Sequence, residues 1–325
     1  MIDLCKKRIV VTGGAGFLGT SVCKTLLSRG VPENQIFVPR KKTYDLTNEN
    51  DVVRLYDDFS PEIVIHLAAE VGGIGANMSH PGKFFYANMA MGLHLVEHGR
   101  LRNIEKFVHT GTVCAYPKHC PIPFQEEDIW NGYPEETNAP YGVAKKALFV
   151  MLDGYHQEYG LKSAVVVPVN LYGPGDNFNP ASSHVIPALI HKCVEARVQG
   201  HKEIVCWGTG RATRQFLYVD DAAEAIIRAA ERIEQPAPIN IGGGEEIAIN
   251  DLVRLVVETC EYDGKVVWDY TKPDGQPRRA IAIEKASDLL DWSPVQGFEE
   301  GLKKTVEWYR TKNNEAPSIR NLAVS

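Results

Sequence analysis

Apolar residues in the first half of the chain fall into short unbroken runs separated by helical stripes. Arg8–Thr12, Ile36–Arg40, Glu62–Ala69, Ile104–His109 and Ala164–Val169 are rich in Ile and Val. Such runs suit strands buried on both faces of a parallel sheet. Helices are predicted between them, through Ser21–Leu27, from Pro81 to Gly99, and in a segment opened by Asn138-Ala139-Pro140. In the last, Ala144, Leu148, Met151 and Tyr155 recur on one face, and Pro140 suits a first turn, where its missing N–H costs nothing. Alternation of strand and helix predicts an α/β fold with a doubly wound parallel sheet of the Rossmann type.

The alternation breaks after Asn170-Leu171-Tyr172-Gly173-Pro174-Gly175-Asp176. A smaller C-terminal α/β lobe is expected from there. Ser183–Pro187 leads into a helix carrying Lys192, strands follow at Glu203–Gly208 and Gln215–Asp221, and another is expected at Pro238–Gly243. A helix around Phe298 to Tyr309 closes the chain. The expected division is a cofactor-binding domain at 1–170, with 215–242 returning to it, and a substrate lobe at 171–325. The last dozen residues are polar and expected to fray.

Composition narrows the function classes. The 325 residues are 44% hydrophobic and 23% charged, ordinary for a globular protein. A net charge of −6 argues against a nucleic-acid partner, and makes any anionic ligand depend on a local basic cluster. The seven cysteines show no metal-like spacing, so no metal site is expected, and their odd number points to reduced thiols and a cytoplasmic location. Met1–Lys7 is too short and polar for a signal peptide, and no apolar run is long enough to span a bilayer.

The first strand runs into Gly13-Gly14-Ala15-Gly16-Phe17-Leu18-Gly19 and then a helix. In that context Gly13 permits the tight turn, Gly16 lets backbone approach a pyrophosphate, and Gly19 lets helix and strand pack closely. Phe17 and Leu18 open the helix, whose free N–H groups suit phosphate. The second strand ends in Arg40 followed by Lys41 and Lys42, where an acid is expected for a free ribose 2′-hydroxyl. Arg40 suits a 2′-phosphate, and so NADP(H), although a solvated basic loop has the same composition. Asp45 can accept from the adenine amino group, and Ala68 is small enough for a cofactor to cross the strand end. His66, in mid-strand, reads as a core histidine.

Tyr141 and Lys145 stand four apart and leave the same side of a helix. An ammonium beside a phenol is expected to lower the phenol's pKa toward a working acid or base. Taken alone, the pair fits a solvated helix face better than a working site. Thr112 and Cys114 lie on a loop at the carboxyl end of the fourth strand, the edge where ligands bind in open parallel sheets.

The glycine loop, Thr112 and Tyr141-x-x-x-Lys145 together resemble the extended short-chain dehydrogenase/reductases, Rossmann enzymes of which many act on nucleotide sugars. Ala68-Ala69-x-Val71-Gly72-Gly73-Ile74, Cys114-x-Tyr116-Pro117-Lys118, Asp176-Asn177-Phe178, Ser183–Leu189 and Lys272-Pro273-Asp274-Gly275-x-Pro277-Arg278 narrow the resemblance to the GDP-L-fucose synthase family, over about residues 8 to 310. That family uses NADPH to turn GDP-4-keto-6-deoxy-mannose into GDP-L-fucose, epimerising C3 and C5 and then reducing C4.

The resemblance implies that Tyr141 protonates the C4 alkoxide, Lys145 supports it and holds the nicotinamide ribose, and Thr112 bonds the carbonyl oxygen. Cys114 and His184 match the family's epimerising pair, with His184 also at the cofactor. Without the resemblance, a small buried hydrophobe and a helix cap fit them equally well. Lys192 and Arg214 match phosphate contacts, with Arg278 a further candidate, and Asn170, Val185 and Trp207 complete the expected substrate set. A homodimer through the two long helices is also implied. Val113 and the lack of an aspartate in Ala280–Glu284 depart from the family pattern and leave other GDP-4-keto sugars, a dideoxy hexose or a heptose, as alternatives. A nucleotide-sugar epimerase or dehydratase with tightly held NAD is the other alternative, against which Arg40 speaks.

Overall fold

The computed structural model describes residues 1–272 and 274–314, so Pro273 and the expected frayed tail lie outside the described residues. The chain begins with β1 (Ile9–Thr12), α1 (Phe17–Ser28), β2 (Ile36–Phe37), α2 (Glu49–Phe59), β3 (Ile63–His66), α3 (Ile74–Ser79), α4 (Pro81–Leu101), β4 (Lys106–Thr110), α5 (Ala139–Tyr159) and β5 (Ser163–Pro168). There follow β6 (Asn170–Tyr172), α6 (Val185–Gln199), β7 (Glu203–Trp207), β8 (Thr213–Arg214), β9 (Phe216–Tyr218), α7 (Val219–Arg232) and β10 (Pro238–Ile241). The remainder is β11 (Ile247–Ala248), α8 (Ile249–Thr259), β12 (Lys265–Asp269), β13 (Arg278–Arg279), α9 (Glu284–Leu290) and α10 (Phe298–Asn314).

Six strands form one parallel sheet in the order β10-β5-β4-β3-β1-β2. Every residue of β1, β3, β4 and β5 is buried, as strands covered on both faces require, including the polar Lys106, His109 and Thr110 of β4. The strand order turns on β1, with β2 on one side and β3 on the other, so the glycine loop after β1 opens at a topological switch point. Smaller sheets, β11-β8-β13, β12-β7 and β6-β9, lie later in the chain. One apolar cluster holds the central sheet and its helices; a second gathers residues such as Tyr172, Ile190, Phe216, Val256 and Leu302.

Two local features differ from the periodicity. The second strand is only Ile36–Phe37, because Pro39 has no N–H to donate to a ladder. The glycine-rich segment after β3 contains the short α3, where the Asn77 amide bonds the carbonyls of Gly72 (2.8 Å) and Gly73 (3.2 Å). A single turn and a half is too short to show a helical stripe. His66 is a core residue, its Nδ1 2.8 Å from the Thr12 hydroxyl. Among the described residues, no helix is long and apolar enough to cross a membrane.

Candidate active site

A cleft of about 930 Å³ runs along the carboxyl ends of β1, β3, β4 and β5 and continues over α6, β7 and β8. At one end is the glycine loop. Gly16 is the N-cap of α1 and leaves the first N–H groups of the helix facing the cleft without a side-chain cap. Any Cβ at Gly19 would overlap the Gly13 carbonyl, so only glycine lets the helix sit this close to the turn. Phe17, Leu18, Arg40, Asp45 and Ala68 line the same end. Asp45 accepts from the Thr47 backbone (3.0 Å) and hydroxyl (2.8 Å), which hold its carboxylate below the usual range. The narrow glycine cradle, the open helix end and the exposed Arg40 fit a dinucleotide with a 2′-phosphate.

Mid-cleft, α5 delivers Tyr141 and Lys145, both buried, one turn apart. The loop after β4 brings Thr112, whose hydroxyl accepts from the Cys114 N–H at 3.2 Å and bonds the Tyr141 phenol. Gly142 makes this meeting possible, since a Cβ there would overlap the Cys114 carbonyl oxygen.

The electrostatics correct one expectation. The Tyr141 phenol is held above its ordinary range, not below it: burial dominates, the Cys114 sulfur adds to it, and the Thr112 bond opposes it. Burial also pushes the Lys145 ammonium down to about 7. Helical spacing shows that the two side chains share a face, but not that both are removed from water.

The far end is built by the later elements. His184 occupies the N-cap of α6 without making a side-chain cap bond. Its ring opens to the cleft yet is walled by protein, and this crowding lowers its pKa. Val185, Asn170, Lys192, Trp207 and Arg214 also line the cleft. Asn170 donates to the Gln215 carbonyl (3.3 Å), and Lys192 to the Val205 carbonyl (2.7 Å). Trp207 is 54% exposed, so it is not a core residue, and the Lys272 ammonium lies 5.4 Å from its ring centre. Burial, then the neighbouring Arg279 guanidinium, brings Arg214 down to about 10, with Cys114 and Asp274 acting in the other direction.

Arg278 is the second correction. Its guanidinium grips Glu246, with Nε 2.9 Å from both carboxylate oxygens, and it does not line the cleft. Glu246 also accepts from the Thr213 hydroxyl (3.0 Å). The register explains the exchange. In β8 and β13, Arg278 lies beside Thr213 and Arg279 beside Arg214. Successive strand residues point to opposite faces, so Arg279, passed over in the sequence, is the arginine that turns to the cleft. Alternation in the Arg278-Arg279 pair carried that signal, but only the partner strand shows which of the two faces inward. Ala280, Ile281 and Ala282 are buried, and none of them lines the cleft.

Fold and cleft together define a dinucleotide-dependent enzyme of the Rossmann class, with a tyrosine and a lysine buried in the cleft wall. The chain belongs to the NAD dependent epimerase/dehydratase family, whose profile matches residues 9–242. It is 37% identical over 303 residues to probable GDP-L-fucose synthase 1 of Oryza sativa subsp. japonica, spanning 93% of this chain and 92% of that one. GDP-L-fucose synthase 1 of Arabidopsis thaliana is 36% identical over 302 residues, covering 93% of each. Among solved structures, a GDP-6-OMe-4-keto-L-xylo-heptose reductase from C. jejuni superposes with a TM-score of 0.89 at 26% identity, over 95% of this chain and 99% of that one. A GDP-L-fucose synthetase from Naegleria fowleri bound to NADP gives 0.85 at 27% identity, over 95% of both.

Proposed function

We propose that this protein is an NADPH-dependent epimerase/reductase that converts GDP-4-keto-6-deoxy-D-mannose to GDP-L-fucose. The observation that carries the reading is the convergence of two chemistries in one cleft: Tyr141, Thr112 and Lys145 for carbonyl reduction, Cys114 and His184 for proton exchange. The named relatives and the NADP-bound neighbour support the substrate class and the cofactor.

Gly13, Gly16, Phe17, Leu18 and Gly19 hold the pyrophosphate end of NADPH, Arg40 its 2′-phosphate, and Asp45 and Ala68 the adenosine side. NADPH supplies a hydride to C4. Epimerisation comes first. The C4 ketone acidifies the protons at C3 and C5, and inversion requires removal on one face and delivery on the other. Cys114 and His184 are the pair for this exchange.

In the reduction, Thr112 donates to the C4 oxygen and Tyr141 protonates it as the alkoxide forms. Tyr141 is protonated at neutral pH, as a phenol ordinarily is, and burial reinforces this; it is the form a general acid needs. Lys145 compensates the phenolate left behind and bonds the nicotinamide ribose. Lys192, Arg214 and Trp207 receive the GDP moiety, and Asn170 and Val185 the sugar side.

In this reading the substrate lobe lies after residue 170, apart from 215–242 and α9, which pack with the cofactor-binding domain at 1–170. We place the protein in the cytoplasm, in keeping with its seven free cysteines. A homodimer forms through α4 and α5, which pack on each other and expose Phe85, Tyr86, Leu93, Val150 and Tyr159. The second reading is a reductase of another GDP-4-keto sugar, favoured by the heptose reductase superposition and by Val113 in the cleft wall. NADPH oxidation across a panel of GDP-4-keto sugars in deuterated water, with products read by NMR, tests both. GDP-L-fucose carrying deuterium at C3 and C5 is expected; reduced product without deuterium at these carbons overturns the epimerase half.

A further inference from the structure

Cys114 is held by a relay of polar side chains. The Lys118 carbonyl accepts from the Gln276 amide (2.9 Å), the Gln276 oxygen accepts from Arg279 Nε (3.1 Å), and Arg279 Nη1 donates to Cys114 Sγ (3.7 Å). Arg279 is only 9% exposed, and these bonds join it to a neutral amide and a sulfur, whereas the adjacent Arg278 takes the carboxylate of Glu246. Removing a guanidinium from water without an anion is costly. Its neighbour across the β8–β13 register is another guanidinium, Arg214, which feels both Arg279 and Cys114. Two like charges, one buried and one half-buried, flank one sulfur and surround it with positive charge.

We propose that Arg279 is a positioning residue for Cys114, fixing the sulfur through one N–H and, with Arg214, supplying the positive field in which the sulfur exchanges a proton with the sugar. This rests on the reading of Cys114 as a proton-transfer group. In the step, the thiolate takes the proton from the carbon beside the C4 ketone, the C–H electron pair becomes the enolate double bond, and negative charge passes from sulfur to the ketone oxygen. Return of a proton on the opposite face, by His184, restores the ketone with the centre inverted. The Gln276 relay keeps the guanidinium on the sulfur while the charge moves.

The test is the rate at which iodoacetamide labels Cys114 in the free full-length protein, read by mass spectrometry of the Cys114 peptide. Arg279→Met is expected to label about tenfold more slowly than wild type, with Arg279→Lys intermediate and Arg278→Met unchanged. Gln276→Leu, which leaves both arginines in place, is expected to slow labelling about threefold and serves should Arg279→Met fail to fold. Wild-type labelling rates in both Arg279→Met and Gln276→Leu, or equal slowing in Arg278→Met, overturn the proposal. Deuterium uptake at C3 and C5 of the GDP-4-keto sugar is followed alongside and is expected to slow in the same order. If wild type takes up none, the epimerase reading fails, while the labelling rates still decide whether Arg279 positions the sulfur.

Discussion

The backbone of Gly142 lies against the carbonyl oxygen of Cys114, with no room for a methyl group between them. This contact joins α5, which carries Tyr141 and Lys145, to the loop that carries Thr112 and Cys114. Gly142→Ala is expected to push the loop away, costing about 1–3 kcal/mol of stability and a larger share of activity. Urea unfolding and NADPH oxidation measure the two. An alanine variant as stable and active as wild type would show that the contact is dispensable.

Tyr141→Phe removes the phenol hydroxyl and leaves the ring. NADPH oxidation is expected to fall by about 10²–10⁴-fold, with the melting temperature little changed. Deuterium exchange into the ketone should survive better than reduction, because it depends on Cys114 and His184. Loss of both in equal measure would place Tyr141 in the epimerisation as well.

Arg40→Asp places a carboxylate where a 2′-phosphate is expected. KM for NADPH should rise by roughly 10- to 100-fold, the scale of one charge-assisted bond, and KM for NADH should fall. Steady-state kinetics with both cofactors decide this. An undiminished preference for NADPH would move the phosphate site elsewhere along the cleft.

Asp176 lies buried at the cleft wall, and burial raises its carboxyl to about 7, with the Asn177 N–H opposing. One of its oxygens has no partner among the described residues. A carboxyl with a raised folded pKa binds its proton more tightly when folded. Its stabilising share is complete below the unfolded value near ~4, and is lost as pH rises toward about 7. Asp176→Asn should therefore melt like wild type at pH 4 and several degrees higher at pH 8. A temperature gap independent of pH would contradict this.

Continuous Ile and Val runs announced β1, β3 and β5, a more mixed apolar segment announced β4, and the glycine loop announced where a cofactor would enter. Tyr141 and Lys145 were legible because helical spacing is local. What was hidden depends on partners distant in the chain. Arg278 and Arg279 are indistinguishable until β13 is set beside β8. The direction of the Tyr141 shift depends on how much water β4, α5 and the loop after β4 exclude together. The short α3 is held by the amide of one asparagine, and periodicity has no means of registering that.

The central sheet is completed by β10, whose residues 238–241 follow β5 by about seventy positions and pair along its open side. Until that segment has been synthesised, β5 presents an unsatisfied row of backbone donors and acceptors, the kind of edge that recruits other chains. A polypeptide ending near residue 170 should therefore be prone to aggregate even with its glycine loop and tyrosine in place. Dividing this enzyme for expression, or fusing another protein between β5 and β10, has to respect that dependence.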